Sequence, residues 1–171
     1  MTYRSQSSVY SDASFANLPG KGSQGGFIIF LVGENGLAAP LVWTSHRLKR
    51  IVKSPKAAET LAMLSGAEHA FLLKSLLLEI HGLDEHHIPV ICIIDNESLH
   101  ASVHTTNIID DRRLYIDICT LRDMLNNKEV SQVILVSSKE QLADCLTKST
   151  ASSELLWQIL CGEMKLPVLE Q

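Results

Sequence analysis

The sequence predicts an α/β protein: a five-stranded mixed sheet, three antiparallel strands then two parallel ones, with helices on both faces. Two patterns carry this. Strand-type alternation and an Asn-Gly turn fill the opening of the chain, and helical and β-branched apolar segments then take turns to its end. Right-handed strand–helix–strand crossovers would set the later strands parallel to the first. No internal repeat or low-complexity linker interrupts the order.

Residues 1–7 are polar and read as a flexible N-terminus. From Ser8 to Ala16, Val9, Ser11, Ala13 and Phe15 alternate with Tyr10, Asp12, Ser14 and Ala16, which is strand periodicity. Asn17 to Gly26 holds Pro19 and four glycines and reads as a loop. Phe27 to Val32 is apolar throughout, as in a strand covered on both sides. Glu34-Asn35-Gly36 signals a tight hairpin, and Pro40 to Thr44 is the return strand, with Pro40 pointing to a sheet edge. Ser54-Pro55 opens a helix that runs to His81 and stops at Gly82. Leu61, Leu64, Leu72, Leu76 and Ile80 form its predicted apolar stripe. A second line, Glu59, Ala62, Gly66 and Ala70, is small enough for close approach of another element.

Leu83 to His87 reads as a polar loop and Ile88 to Ile94 as a buried strand. Asn96 to Val103 is a short helix, and residues 105–111 connect it to a helix from Arg112 to Leu125 with Leu114, Ile118, Leu121 and Leu125 in period. Val130 to Val136 is the last strand. Ser137-Ser138 caps a helical region holding Leu142, Asp144 and Leu146, and Ser152 to Leu160 is a final short helix ending at Gly162. The expected domain spans 8–162, with a tail over 163–171.

A chain of 171 residues fits one domain with a proper core. A net charge of −4 excludes a simple polycation, so nucleic-acid binding would need a local basic patch. One exists: Arg47, Lys49, Arg50, Lys53 and Lys56 follow one another with no acid between them. The four cysteines form no CxxC motif and are expected as buried, reduced thiols. The expectation is an intracellular protein, cytoplasmic or nuclear and not secreted: the N-terminus has no signal core, and no apolar run approaches the ~20 residues that span a membrane.

Four acids occupy informative places. Asp12 lies mid-strand, Asp95 ends an apolar strand, Glu59 is early in the long helix and Asp144 begins a late one. In open α/β sheets, active groups gather at the carboxyl ends of central strands. Any single acid of this kind is ordinarily solvated; four at compatible topological positions suggest a metal site. An all-oxygen set suits Mg²⁺ or Mn²⁺ rather than zinc, and a pair of such ions ~4 Å apart cleaves phosphodiesters. His81, His86 and His87 read as loop residues. His100 and His104 share a helical face but lack a third ligand.

These segments resemble the ribonuclease H domain of copia-type LTR retrotransposon Pol polyproteins, over about residues 9–160. Tyr10-Ser11-Asp12-Ala13 resembles that family's Tyr-Ser-Asp-Ala, Trp43-Thr44-Ser45 its Trp-Ser-Ser, and Ala58-Glu59 its Ala-Glu. Asp95-Asn96-Glu97-Ser98 is similar to its Asp-Asn-Gln-Ser, and Tyr115-Ile116-Asp117-Ile118 to its His-Ile-Asp-Ile. Gln141-Leu142-Ala143-Asp144-Cys145-Leu146-Thr147-Lys148 is nearest of all to its Gln-Leu-Ala-Asp-x-Leu-Thr-Lys. The resemblance implies a ribonuclease H-like fold and an endonuclease that cuts the RNA of RNA–DNA hybrids. It implies Asp12, Glu59, Asp95 and Asp144 as ligands of two Mg²⁺ or Mn²⁺ ions, and a reverse-transcriptase polymerase domain as a partner. The basic segment would hold hybrid phosphates. Asn96 and Ser98, with Ser14 and Gln24 as weaker candidates, would touch the backbone or a 2′-hydroxyl. Asp117 reads as structural.

Two departures stand out. Ser137-Ser138-Lys139-Glu140 holds no histidine, unlike the loop of cellular type 1 enzymes, and Pro55-Lys56 replaces the polar run before Ala-Glu. The competing readings are a catalytically weak or inactive retroelement-derived nucleic-acid-binding domain, and an integrase-like nuclease. The second would want a late Glu where Asp144 stands.

Overall fold

The computed structural model describes residues 5–84, 87–106 and 108–168; His86 lies outside them. Ser5–Leu18 (β1), Gly22–Gly33 (β2) and Ala38–Arg47 (β3) pair antiparallel. Val90–Ile94 (β4) pairs parallel with β1, and Gln132–Leu135 (β5) parallel with β4. This is the predicted mixed sheet of three antiparallel and two parallel strands; its order is β3-β2-β1-β4-β5, with Pro40 on the edge strand. Gly36, at φ 76°, closes the β2–β3 hairpin in the left-handed region that an Asn-Gly turn uses.

The strands are longer than their patterns. Ser5 pairs with Gly33 and Ser7 with Val90, so residues 5–7 belong to β1 rather than to a frayed end. Residues 22–26, expected in a loop, belong to β2, with Gly25 opposite Ala13 and Gly26 opposite Asp12. Glycine is used there for space: a Cβ on Gly25 would stand 2.6 Å from the Leu48 side chain.

Pro55–His81 (α1) matches its predicted bounds. Ser54 caps it by accepting from the Ala57 N–H at 3.1 Å, and Gly82 ends it. Its buried face differs from the predicted one. Ala58, Ala62, Met63, Gly66, Ala67 and Ala70 face the sheet, while Leu72, Leu76 and Ile80 are 68%, 50% and 66% exposed. The small residues win because they let the helix axis come close: a Cβ on Gly66 would lie 2.9 Å from Val9 Cγ1. By length and composition α1 is apolar enough to cross a membrane, contrary to the expectation from sequence, yet this face seats it as the central core helix.

Glu97–His104 (α2) and Arg112–Asn126 (α3) join α1 over one face of the sheet, where Val9, Phe27, Ile29, Val90, Cys92 and Ile94 meet Leu99, Ile118 and Leu121. The other face carries Tyr10, Ile28, Phe30, Ile91 and Ile93. It is covered by residues around Asp144–Thr147 (α4) and Glu154–Leu160 (α5), chiefly Leu142, Ala143 and Ile159. The alternation of Val9 and Tyr10 thus separates two cores. Leu166, in the predicted tail, is buried in the second core, and its N–H donates to Gly36 O at 2.9 Å. The helical region after β5 is shorter than its pattern. Ser137 and Glu140 close a single 3₁₀ turn, and α4 has four residues. Of the thiols, Cys92 is buried and Cys161 exposed, so the expectation of buried thiols does not extend to Cys161.

Candidate metal centre

Register brings the first two acids together. Tyr10 on β1 pairs with Ile93 on β4, and two residues further along each strand stand Asp12 and Asp95. β4 ends at Ile94, so Asp95 lies at the carboxyl end of the sheet, where such sites form. Glu59, one turn into α1, reaches the same point. Asp12, Glu59 and Asp95 each offer an oxygen, and these lie within 4.8 Å of one another. Among the described residues this is the one such gathering of three possible ligands.

The trio is electrostatically costly, with Asp12 and Glu59 buried and Asp95 partly so. Asp12 is 0% exposed and Glu59 8%. The Ala13 N–H donates to the Glu59 carboxylate, but its Oε2 is buried with no hydrogen-bond partner. Burial, with Asp12 and Asp95 nearby, pushes Glu59 up to about 9. Burial also raises Asp12, against a hydrogen bond from Thr147 and the charge of Lys148. An unsatisfied buried carboxylate oxygen beside two further acids fits a hard divalent cation; the all-oxygen donor set suits Mg²⁺ or Mn²⁺.

Asp144 joins from the other side. It begins α4, and its carboxylate accepts from Lys148 Nζ, one helical turn on. Lys148 Nζ also lies 3.4 Å from Asp12 Oδ1. Burial works against this ammonium, but Asp144 and Asp12 outweigh it and hold its pKa above the usual lysine range. The Thr147 hydroxyl donates to Asp12 Oδ2. Gly26 makes room for this approach, since a Cβ there would stand 3.0 Å from Leu146 Cβ and 3.1 Å from Thr147 Cγ2. Gln141 is buried, and its Nε2 donates to Ser11 O at 3.1 Å, fastening the approach to α4 onto β1. Three of the four predicted acids therefore meet directly, and the fourth meets Asp12 through Lys148. Sequence reasoning gave Gln141, Thr147 and Lys148 no role. The i, i+4 spacing of Asp144 and Lys148 was the available signal for the last of them.

The predicted nucleic-acid contacts divide. Arg47, Lys49 and Lys53 are exposed. Lys53 Nζ stands 3.9 Å from Asp111, with its side chain 81% exposed. Arg50 instead donates to Asp117 on α3. Lys56 donates to Ser102 Oγ, and burial, with Arg122 nearby, lowers its pKa. Gln24 Nε2 donates to Ser45 Oγ at 2.8 Å, and Ser14 pairs opposite Gln24. Asn96 caps α2 by accepting from the Leu99 N–H at 2.8 Å, and Ser98 is exposed. The His100 and His104 rings lie 4.4 Å apart.

No protein-family model matches the sequence, and no curated protein is similar to it at a significant level. Solved structures do match the fold. RNase H1 from the halophilic archaeon Halobacterium salinarum NRC-1 aligns with TM-score 0.55 and 15% identity, over 90% of this chain and 98% of that one. LC11-RNase H1, isolated from compost by a metagenomic approach, aligns with TM-score 0.60 and 14% identity, over 86% and 94%. The same LC11 enzyme in complex with an RNA/DNA hybrid aligns with TM-score 0.58 and 16% identity, over 82% and 93%. Sheet order, helix placement and these alignments agree: the chain has the ribonuclease H-like fold.

Proposed function

We propose that this protein is a ribonuclease H, a metal-dependent endonuclease that hydrolyses the RNA strand of RNA–DNA hybrids. The observation that carries the reading is the gathering of buried Asp12 and Glu59 with partly buried Asp95, and its unpartnered Glu59 oxygen, where the middle of β1 meets the carboxyl end of β4. These three would hold Mg²⁺ or Mn²⁺, and Asp144 would complete the set for a second ion. When bound, such cations supply an activated water and stabilise the leaving oxygen of a phosphodiester. The chain's own residues do the positioning. Thr147 fixes one Asp12 oxygen, the Ala13 N–H fixes Glu59, and Gln141 ties the segment before α4 to β1. The implied products carry a 3′-hydroxyl on one RNA fragment and a 5′-phosphate on the next.

The match of a hybrid-bound enzyme to this fold supports the choice of substrate. Exposed Arg47, Lys49 and Lys53 would contact hybrid phosphates, and Asn96, Ser98, Ser14 and Gln24 the sugar edge. Arg50 and Lys56, already engaged by Asp117 and Ser102, play a lesser part. A copia-type retrotransposon origin, with a reverse-transcriptase polymerase domain as partner, belongs to the same proposal and rests on the motifs, above all residues 141–148.

The test is cleavage of an end-labelled strand with Mg²⁺ or Mn²⁺: RNA in an RNA–DNA hybrid, RNA in an RNA duplex, and DNA in a DNA duplex. Cleavage confined to the hybrid is expected. Hybrid binding without cleavage in either cation would instead establish the non-catalytic binding domain.

A further inference from the structure

Lys148 places a positive charge inside the acidic centre. Its Nζ donates to Asp144 and lies 3.4 Å from Asp12 Oδ1. The acids therefore fall into two halves that share Asp12. On the β4 and α1 side, Asp12, Glu59 and Asp95 converge with a buried carboxylate oxygen left without a partner. On the α4 side, Asp12 and Asp144 are bridged by an ammonium. The two halves differ in their own charges: among the described residues a lysine pairs with Asp12 and Asp144, and none forms an ion pair with Glu59 or Asp95.

The bridge is a built feature of the fold. Asp144 and Lys148 are one helical turn apart, so their pairing needs no distant element. Thr147 draws Asp12 toward α4, and Gly26 permits that approach. An ammonium has three donors and no lone pair, so it satisfies carboxylates but cannot share them with a second cation in the same place. Its side chain is 38% exposed, which leaves it a path to solvent.

Resting on the nuclease reading above, we infer that Lys148 is a positioning residue that stands in for the second divalent cation. The free protein then binds one divalent cation, in the Asp12–Glu59–Asp95 half. A second enters between Asp12 and Asp144 only when Lys148 leaves. A hybrid phosphate is the natural alternative partner for a displaced lysine, which links entry of the second cation to substrate binding.

Mn²⁺ titrated into the full chain without nucleic acid tests this, with bound Mn²⁺ counted by electron paramagnetic resonance and heats measured by calorimetry. Wild type is expected to bind one Mn²⁺. Lys148→Met, which keeps the stem and removes the charge, should gain a second site at least about tenfold tighter than any second site in wild type. Lys148→Arg, which keeps the charge, should stay at one, and adding Asp144→Asn to Lys148→Met should remove the gained site. Thermal unfolding checks that each variant is folded; should Lys148→Met fail to fold, Lys148→Gln carries the same expectation. Two equal sites in wild type, or identical titrations for wild type and the charge-removing variant, overturn the inference while leaving the cation centre standing. No Mn²⁺ binding by wild type, or binding unchanged by Asp12→Asn, overturns the cation centre itself.

Discussion

The strand-borne and helix-borne acids of this centre differ in what compensates them. Asp12, midway along β1, and Asp95, just past the end of the parallel neighbour β4, stand close to each other and to Glu59, and the Glu59 oxygen facing no partner is buried. Asp144 lies on a four-residue helix, partly buried, and its charge is met by Lys148. A rigid sheet holds like charges in a fixed, unfavourable arrangement that an external cation relieves. A short helix carries its own counter-ion with it. The first half gathers carboxylate oxygens with one left unpartnered, and the second brings its own positive charge to Asp12.

The largest effects are expected where that contrast is sharpest. Asp12→Asn or Asp95→Asn should lower cation-dependent hybrid cleavage by about 100-fold or more, the upper scale for groups that act even indirectly on a metal. Asp144→Asn should cost only about 10-fold. Rates measured with saturating Mg²⁺ check this, and equal losses for all three would erase the distinction between the halves.

A pH effect comes next. Glu59 moves from its ordinary 4.5 to about 9 in the folded, cation-free protein, chiefly through burial. Between those values the folded state keeps a proton that the unfolded chain releases. That contribution to stability is therefore full below the unfolded value and is lost as pH rises through the folded one. Cation-free wild type should lose stability across this window more steeply than Glu59→Gln, as read by denaturant midpoints at several pH values. Added Mg²⁺ should flatten the wild-type slope, because cation and proton compete for the same oxygen.

Gly66→Ala probes the seating of α1, which carries Glu59. Its methyl would meet Val9 Cγ1 at 2.9 Å, and overpacking of this kind costs about 1–3 kcal/mol. Leu76→Ser on the outer face of the same helix should stay within about 0.5 kcal/mol, the usual range for surface changes. In the basic segment, Lys49→Ala and Lys53→Ala should each weaken hybrid binding and lower the salt slope by about 1. Arg50→Ala should act mainly on stability, by about 1–2 kcal/mol, since it leaves Asp117 without its partner.

How much of this was legible in the sequence depended on the element. The number and direction of the strands were, through an Asn-Gly hairpin, an edge proline and two β-branched runs; that β1 and β4 are neighbours was not, because nothing local in either strand names its partner. Asp12 and Asp95 were legible as strand residues. Glu59 and Asp144 were legible as acids early in two helices, and the family resemblance gave the four acids together their substrate. The buried face of α1 was not legible, since apolar residues surround much of that helix. Both the leucine line and the small-residue line follow its period, and only the need for close approach to Val9 and Phe27 chooses between them. The glycine-rich segment 22–26 was misread because its glycines serve neighbours distant in sequence, Leu48 and α4, rather than a turn. The division of the basic segment was equally hidden, because Arg50 and Lys56 take partners on α3 and α2.

The account rests on a cation-dependent centre at Asp12 that acts on hybrids. A time course of RNA-strand cleavage in a uniform RNA–DNA hybrid, for wild type and Asp12→Asn side by side with Mn²⁺, tests it most directly. Fragments ending in 3′-hydroxyls from wild type, none from folded Asp12→Asn and none after chelation are predicted. Equal cleavage by both proteins, or cleavage that survives chelation, would contradict it.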